Sequence, residues 1–141
     1  MHRYTSKLSL HMRHPSRDLS KVVETLQLRP KYIWKSGDDR RSSTGTRIGG
    51  KRESSYCSVE IKSAPRTPLV QKIREALAFL APHRRMLNRL TSTGGKVSLY
   101  VGWFCDENTG ETFDNSVLRS MSELRVDLEL NVYLPDQPKE L

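Results

Sequence analysis

Gly45-Thr46-Arg47-Ile48-Gly49-Gly50-Lys51 has the GxxxxGK spacing of a loop that cradles phosphate with backbone N–H groups. That chemistry needs a buried strand before the loop, a helix after it, and a Ser or Thr beside the lysine to meet Mg²⁺. Arg52 stands where the hydroxyl should be, and the flanks read as polar loop and strand, so the match is coincidental. His11 and His14, joined by a thiolate, would offer the nitrogen and sulfur ligands that zinc takes. On a strand their i, i+3 spacing points them apart, and no CxxC or HExxH completes a set. His2 and His83 have no evident partner, and no metal site is expected. No GxSxG turn surrounds a serine, and neither Cys57 nor Cys105 stands in a nucleophile signature. The pairs Asp38-Asp39 and Asp106-Glu107 fall in turns, where carboxylates serve backbone hydrogen bonding. No catalytic residue is assigned, no cofactor is implied, and the chain is expected not to be an enzyme.

Any other chemistry rests on surfaces, and periodicity predicts the elements that build them. Arg3 to Met12 alternates, with Leu8, Leu10 and Met12 on one side and Lys7, Ser9 and His11 on the other, as a half-buried strand does. Ser16 is a candidate cap for a helix carrying Leu19, Val22, Val23 and Leu26, which Pro30 stops. Residues 29–55 read as a long polar loop anchored by Tyr32, Ile33, Trp34 and Ile48. Tyr56 to Ile61 alternates again as a second strand. Thr67 caps a helix with Pro68 at its first position and a stripe of Leu69, Ile73, Ala76, Leu77 and Leu80. Pro82 breaks that helix, and Met86, Leu87 and Leu90 continue it to Gly94-Gly95, a left-handed cap. Val97 to Phe104 is a third strand. Asp114 caps a helix lined by Val117, Leu118, Met121 and Leu124, and Leu128, Leu130, Val132 and Leu134 alternate in a last strand that Pro135 ends. The tail 135–141 is expected to fray.

The predicted fold is a single α+β domain over 1–141: a four-stranded, mostly antiparallel sheet with helices on one face, in a ferredoxin-like arrangement. Its two βαβ units, residues 3–61 and 96–134, are joined by a helical arm. If the aliphatic sides of the strands meet the helices, the opposite face carries Lys7, Ser9, His11, Tyr56, Ser58, Tyr100, Phe104, Asn131 and Tyr133. Rings among basic residues on an open sheet can stack bases or form a partner patch, or simply pack across strands. Trp34, beside Gly37 and the charges Asp38 to Arg41, either anchors the loop or lines a pocket. The candidate binding residues are therefore Trp34, Arg40, His11, Tyr56, Tyr100, Phe104 and Tyr133.

Composition bounds the function class. The 141 residues suit one domain, and 35% hydrophobic against 28% charged residues suits a folded, soluble one. No apolar run approaches the roughly 20 residues of a membrane helix, and the first 20 residues lack a secretory core, so a cytosolic protein without membrane contact is expected. Two cysteines make no disulfide framework, and no asparagine begins an N-x-Ser/Thr acceptor. The net charge of +8 is uneven: residues 1–66 hold 15 Lys and Arg against 6 Asp and Glu, while residues 96–141 hold 4 against 9. A basic front admits a nucleic-acid partner, although no base-reading motif accompanies it.

The pieces Leu26-x-Leu28-x-Pro30, Trp34-x-x-Gly37-Asp38-x-Arg40, the Tyr56 strand, Leu80-x-Pro82, Leu87-x-x-Leu90, Gly94-Gly95-x-Val97, Gly102-Trp103-Phe104, Asn108-x-Gly110 and Val132-Tyr133 recur in order across most of the chain. Together they resemble a bacterial family catalogued as domain of unknown function 4279. Members often carry tryptophan in the second strand, where this chain has Tyr56-Cys57. The resemblance implies a small, usually stand-alone bacterial protein and supplies no activity, cofactor or catalytic residue. The reading that follows is a small bacterial, non-enzymatic binding or protein-interaction domain, its partner another protein or a second copy in a homodimer. The alternatives are nucleic-acid binding through the basic front and an immunity-type protein that neutralises a toxin.

Overall fold

The computed structural model describes residues 3–135 of the chain. Its strands are β1 (Thr5–His14), β2 (Tyr32–Trp34), β3 (Asp39–Arg41), β4 (Arg47–Lys51), β5 (Ser55–Ile61), β6 (Lys96–Phe104) and β7 (Val126–Tyr133). The helices are α1 (Ser20–Thr25), α2 (Leu69–Leu80), α3 (Arg84–Ser92) and α4 (Asn115–Glu123), with a 3₁₀ turn at Ala81–His83 joining α2 to α3. Pro82 in that turn breaks the helical arm, as its missing N–H requires.

β1 lies between antiparallel β5 and antiparallel β6. Leu8 pairs with Ile61 and Val101, Leu10 with Val59 and Leu99, and Met12 with Cys57 and Val97. Residues paired in this way share a face, so the apolar half of every strand gathers on one side of the sheet. Against it lie Val22 and Val23 of α1, Leu69, Ile73 and Leu77 of α2, Leu87 and Leu90 of α3, and Val117 and Met121 of α4, all in one buried cluster. Each such side chain contributes roughly 1.5–3 kcal/mol relative to exposure, which is why the helices hold that face.

The α+β class holds, but the four-stranded ferredoxin-like layout does not. The sheet has five strands in the order β2-β5-β1-β6-β7, all pairs antiparallel except parallel β6 and β7, and β3 and β4 form a separate two-stranded sheet. Residues 29–55 are therefore a short edge strand plus a hairpin. That one extra strand changes the parity: β2 runs parallel to β1, and β5 turns back between them. Consequently β1 and β5, read from sequence as a parallel βαβ pair, are antiparallel neighbours. The unit β6-α4-β7 is a true parallel crossover.

Two caps also differ. α1 starts at Ser20, where Asp18 Oδ1 accepts from the Ser20 N–H at 2.9 Å, and Ser16 lies outside the helix. Thr67 donates its hydroxyl to the Ala64 carbonyl, and extended Pro68 precedes α2. The first N–H of α2, on Leu69, is met by the Tyr4 hydroxyl at 3.3 Å, which donates to Glu111 Oε2 at 2.7 Å while its ring stacks on Trp103 at 3.8 Å. Burial, and then the bond to Glu111, push the Tyr4 phenol up to about 12. Leu118 is 50% exposed, off the apolar face of α4. Leu130, Val132 and Leu134 are also exposed, and they line a cleft of about 540 Å³ with Trp103, Phe113 and the loop that follows β6. The expected fraying of the tail lies, beyond Pro135, outside the described residues.

α3 ends as the Gly94-Gly95 pair predicts. Gly94 takes φ +99°, its N–H bonds Thr91 O at 3.3 Å, and the Gly95 N–H bonds Leu90 O at 2.9 Å. A Cβ on Gly95 would lie 2.5 Å from Leu90 O and 3.0 Å from Arg13 O, so only glycine lets α3 meet the end of β1. Beside it, buried His14 accepts the N–H groups of Ser16 (3.1 Å) and Arg17 (2.8 Å) at Nδ1. Its proton must then sit on Nε2, which donates to Thr93 Oγ1 at 2.8 Å, and that hydroxyl passes on to Arg89 O.

Burial, with Arg17 nearby, holds His14 below its ordinary value of 6.5. Because the fold keeps this ring neutral, the unfolded chain binds more protons just below pH 6.5. This contribution to stability is complete above that pH and is lost as pH falls through the folded value. His14→Ala is expected to cost about 1–3 kcal/mol by orphaning the turn's N–H groups, and to flatten the acid-side slope below pH 6.5. Urea unfolding across that range checks both.

Candidate functional site

The second face of the sheet is set by the same register. His11 lies between Ser58 and Ser98, Arg13 between Tyr56 and Lys96, Ser9 beside Tyr100, and Lys7 beside Gly102. β2 adds Tyr32 next to Ser58 and Trp34 next to Tyr56; β7 adds Asn131 next to Gly102 and Tyr133 next to Phe104. All four helices bury their apolar sides on the opposite face.

The rings on this open face form a line across all five strands. Trp34 meets Tyr56 at 4.8 Å between centroids, Tyr56 meets His11 edge-on at 5.8 Å, and His11 stacks on Tyr100 at 4.9 Å. The Tyr100 and Tyr133 hydroxyls bond at 2.7 Å, and Tyr133 stacks on Phe104 at 5.0 Å. Asn131 Nδ2 also donates to the Tyr100 oxygen, at 2.6 Å. Small residues leave room for the rings: Ser58, Ser98 and Gly102 are buried on this face. A Cβ on Gly102 would come within 3.2 Å of Phe104 Cε2 and 3.6 Å of Tyr133 Cε2, so the stack covers the glycine.

Three cations sit on the line. The Arg52 guanidinium is 3.8 Å from the Trp34 centroid, the Arg13 guanidinium 4.8 Å from Tyr56, and Lys7 Nζ 6.0 Å from Phe104. Each is a cation–π contact of about 0.5–1 kcal/mol at such exposure. Arg52 ends the β3–β4 hairpin, which holds five Lys and Arg in residues 39–52 against Asp39 alone. Asp39 pins that hairpin by accepting from Arg47 at 2.8 Å and from Lys51, and these neighbours hold its carboxyl below the usual carboxylate range. The turn before the hairpin explains the Trp-x-x-Gly-Asp spacing. Gly37 takes φ +91°, which a side chain resists, and Asp38 Oδ2 accepts the Lys35 N–H at 2.8 Å. A cleft of about 720 Å³ opens between this hairpin and β2, lined by Tyr32, Trp34, Arg41 and Arg52 among others.

Burial is the main effect on the central ring: it lowers the His11 pKa against the opposing pull of Glu129, with Arg13 lowering it further. His11 is thus neutral at pH 7 and packs as an aromatic. Burial raises the Tyr56 phenol, and the hydrogen bond to Tyr100 raises that of Tyr133.

Of the seven residues singled out from sequence, Trp34, Tyr56, His11, Tyr100, Tyr133 and Phe104 come together in this line. Arg40 does not: it is exposed on β3, and a Cβ on Gly50 would lie 3.5 Å from its Cδ. Sequence reasoning missed Arg13 and Arg52 as ring partners. Arg13 continues the alternation of β1 by one step and was legible, whereas Arg52 reaches Trp34 only through the hairpin. The GxxxxGK segment is the hairpin turn and β4, with no helix after it. His11 and His14 lie on opposite faces, and no cluster of three His, Cys, Asp or Glu suited to a metal occurs among the described residues. Cys57 is buried with its thiol pushed up to about 11, and Cys105 is half-buried.

These features define an α+β domain with one helix-covered and one ring-bearing sheet face. The chain belongs to the family described as a domain of unknown function, DUF4279, whose profile matches residues 2–135. Neither a curated protein nor a solved structure matches it significantly.

The stack over Gly102 gives a direct test of how the line is held. Gly102→Val is expected to lift Phe104 and Tyr133 apart, costing about 1–3 kcal/mol and weakening the near-UV circular dichroism. Gly110→Ala, where nothing lies within 4 Å, should change neither.

Proposed function

We propose that this protein is a non-enzymatic binding domain that engages a protein partner through the open face of its sheet, in the cytosol. The observation that carries the reading is the unbroken line of rings from Trp34 to Phe104 across all five strands, on the face opposite the helices. Tryptophan, tyrosine and arginine are the side chains that dominate protein interfaces, because they offer much area for little lost rotamer freedom. Here they are already held against one another, so docking would order few of them further.

The basic hairpin favours a second reading, single-stranded nucleic acid, since cations beside a tryptophan suit phosphate and base together. Two observations weigh against it. Arg52 and Arg13 already occupy faces of Trp34 and Tyr56. Glu60, Asp127 and Glu129 pair onto the open face opposite Ser9, Ser98 and Tyr100, where they would repel phosphate. An immunity-type role against a toxin would use the same face; the chain's net positive charge disfavours a toxin that itself binds nucleic acid.

A photoreactive benzoylphenylalanine at Lys7, exposed beside Phe104, should form a protein adduct in the producing cell, and one at Phe79 on α2 should not. Trp34→Ala or Tyr100→Ala should reduce the Lys7 adduct by about tenfold, the loss of one interface anchor. Equal adducts at both positions, or none at Lys7, overturn the reading. Tight, steeply salt-dependent retention of single-stranded RNA on a filter would replace it with the second.

A further inference from the structure

The two edges of the five-stranded sheet are treated differently by the sequence. β2 has three residues, is preceded by Pro30 and Lys31 and is followed by Lys35, features that discourage a strand from adding there. β7 has eight residues, contains neither lysine nor proline, and no strand meets its outer edge among the described residues. Cys105 N–H donates to Tyr133 O, so the odd residues of β7 turn their backbone groups toward β6. Leu128, Leu130 and Val132 therefore present N–H and C=O groups outward. Leu130, Val132 and Leu134 are 47%, 55% and 53% exposed.

We propose that a second copy of this chain adds to β7, antiparallel and about a two-fold axis through Leu130, joining two sheets into one of ten strands. The strand is complementary to itself in this register. Leu130 faces Leu130, Leu128 faces Val132 and Val126 faces Leu134 on the helix side, while Glu129 faces Asn131 and Asp127 faces Tyr133 on the open side. The outward backbone groups of Leu128, Leu130 and Val132 then meet one another. An axis through Glu129 would oppose two carboxylates, and a slip of one residue would place apolar side chains against polar ones. Self-pairing about a two-fold is also closed, so it ends at two copies, whereas β2 of one chain on β7 of another would run on as a fibre. The inference stands on the β7 edge alone and is separate from the binding role of the open face.

Sedimentation of the full chain is expected to give twice the chain's mass at micromolar concentration. Leu130→Lys, which sets two ammonium groups opposite each other at a half-exposed site, should sediment as a monomer with unchanged circular dichroism. In a Cys105→Ser background, Leu130→Cys should be joined by a short bismaleimide, and Leu118→Cys on α4 should not. A monomer at every concentration overturns the proposal. So does a dimer that survives Leu130→Lys but dissociates in Tyr100→Ala, since that places the contact on the open face instead.

Discussion

The structure depends on one constraint, the two-residue period of β1 held between two antiparallel neighbours. Leu8, Leu10 and Met12 go to the core and Lys7, Ser9, His11 and Arg13 to the open face only in the observed register. A slip of one residue would bury the cations and expose the core, so the cost of slipping is the loss of both faces at once. Side chains pin the strand at each end. At its start, Tyr4 joins the first N–H of α2, Glu111 and the Trp103 ring. At its end, His14 joins the following turn to Thr93, and Gly95 admits the Arg13 carbonyl at the α3 cap.

An open sheet face dense in rings would ordinarily invite nonspecific association. Here the rings are held against one another: serines and a glycine between them leave room, neighbouring rings take the flanks, and Arg13, Arg52 and Lys7 add charge at three of them. Charge at the ring faces keeps water close while leaving apolar area that a shaped partner can reach.

The strands with long alternation, β1, β6 and β7, were legible from sequence because apolar and polar residues take opposite faces along each, although β7 buries only the start of its apolar side, and the face assignment of Tyr100 and Tyr133 followed from it. The Asp114 cap, whose Oδ1 accepts the Val117 N–H at 3.0 Å, and the Gly94 cap were legible because their chemistry is local. β2 was not legible: three residues at a sheet edge carry no period, and only the partner strand β5 defines them. Missing it turned an antiparallel pair into a parallel one and produced the ferredoxin-like expectation. The caps at Ser16 and Thr67 failed for a related reason, since Asp18 and the distant Tyr4 supply those bonds. Arg40 was placed with Trp34 by proximity in sequence, but the turn at Gly37 sends the two residues into different sheets.

The strand order gives the uneven charge of the sequence a direction in space. β2, β5 and β1 come from the basic front of the chain, with the β3–β4 hairpin beside them, while β7 at the far edge comes from the acidic tail and carries Asp127 and Glu129. The sheet therefore has a positive side and a negative side, with the neutral rings of His11 and Tyr100 between them. A partner of the kind proposed for this face would meet opposite fields at its two ends, an arrangement that orients a docking molecule before contact and raises the rate of productive encounter more than the final affinity. Because β1 is central and its register fixed, the same alternation that builds the core also sets that axis of charge.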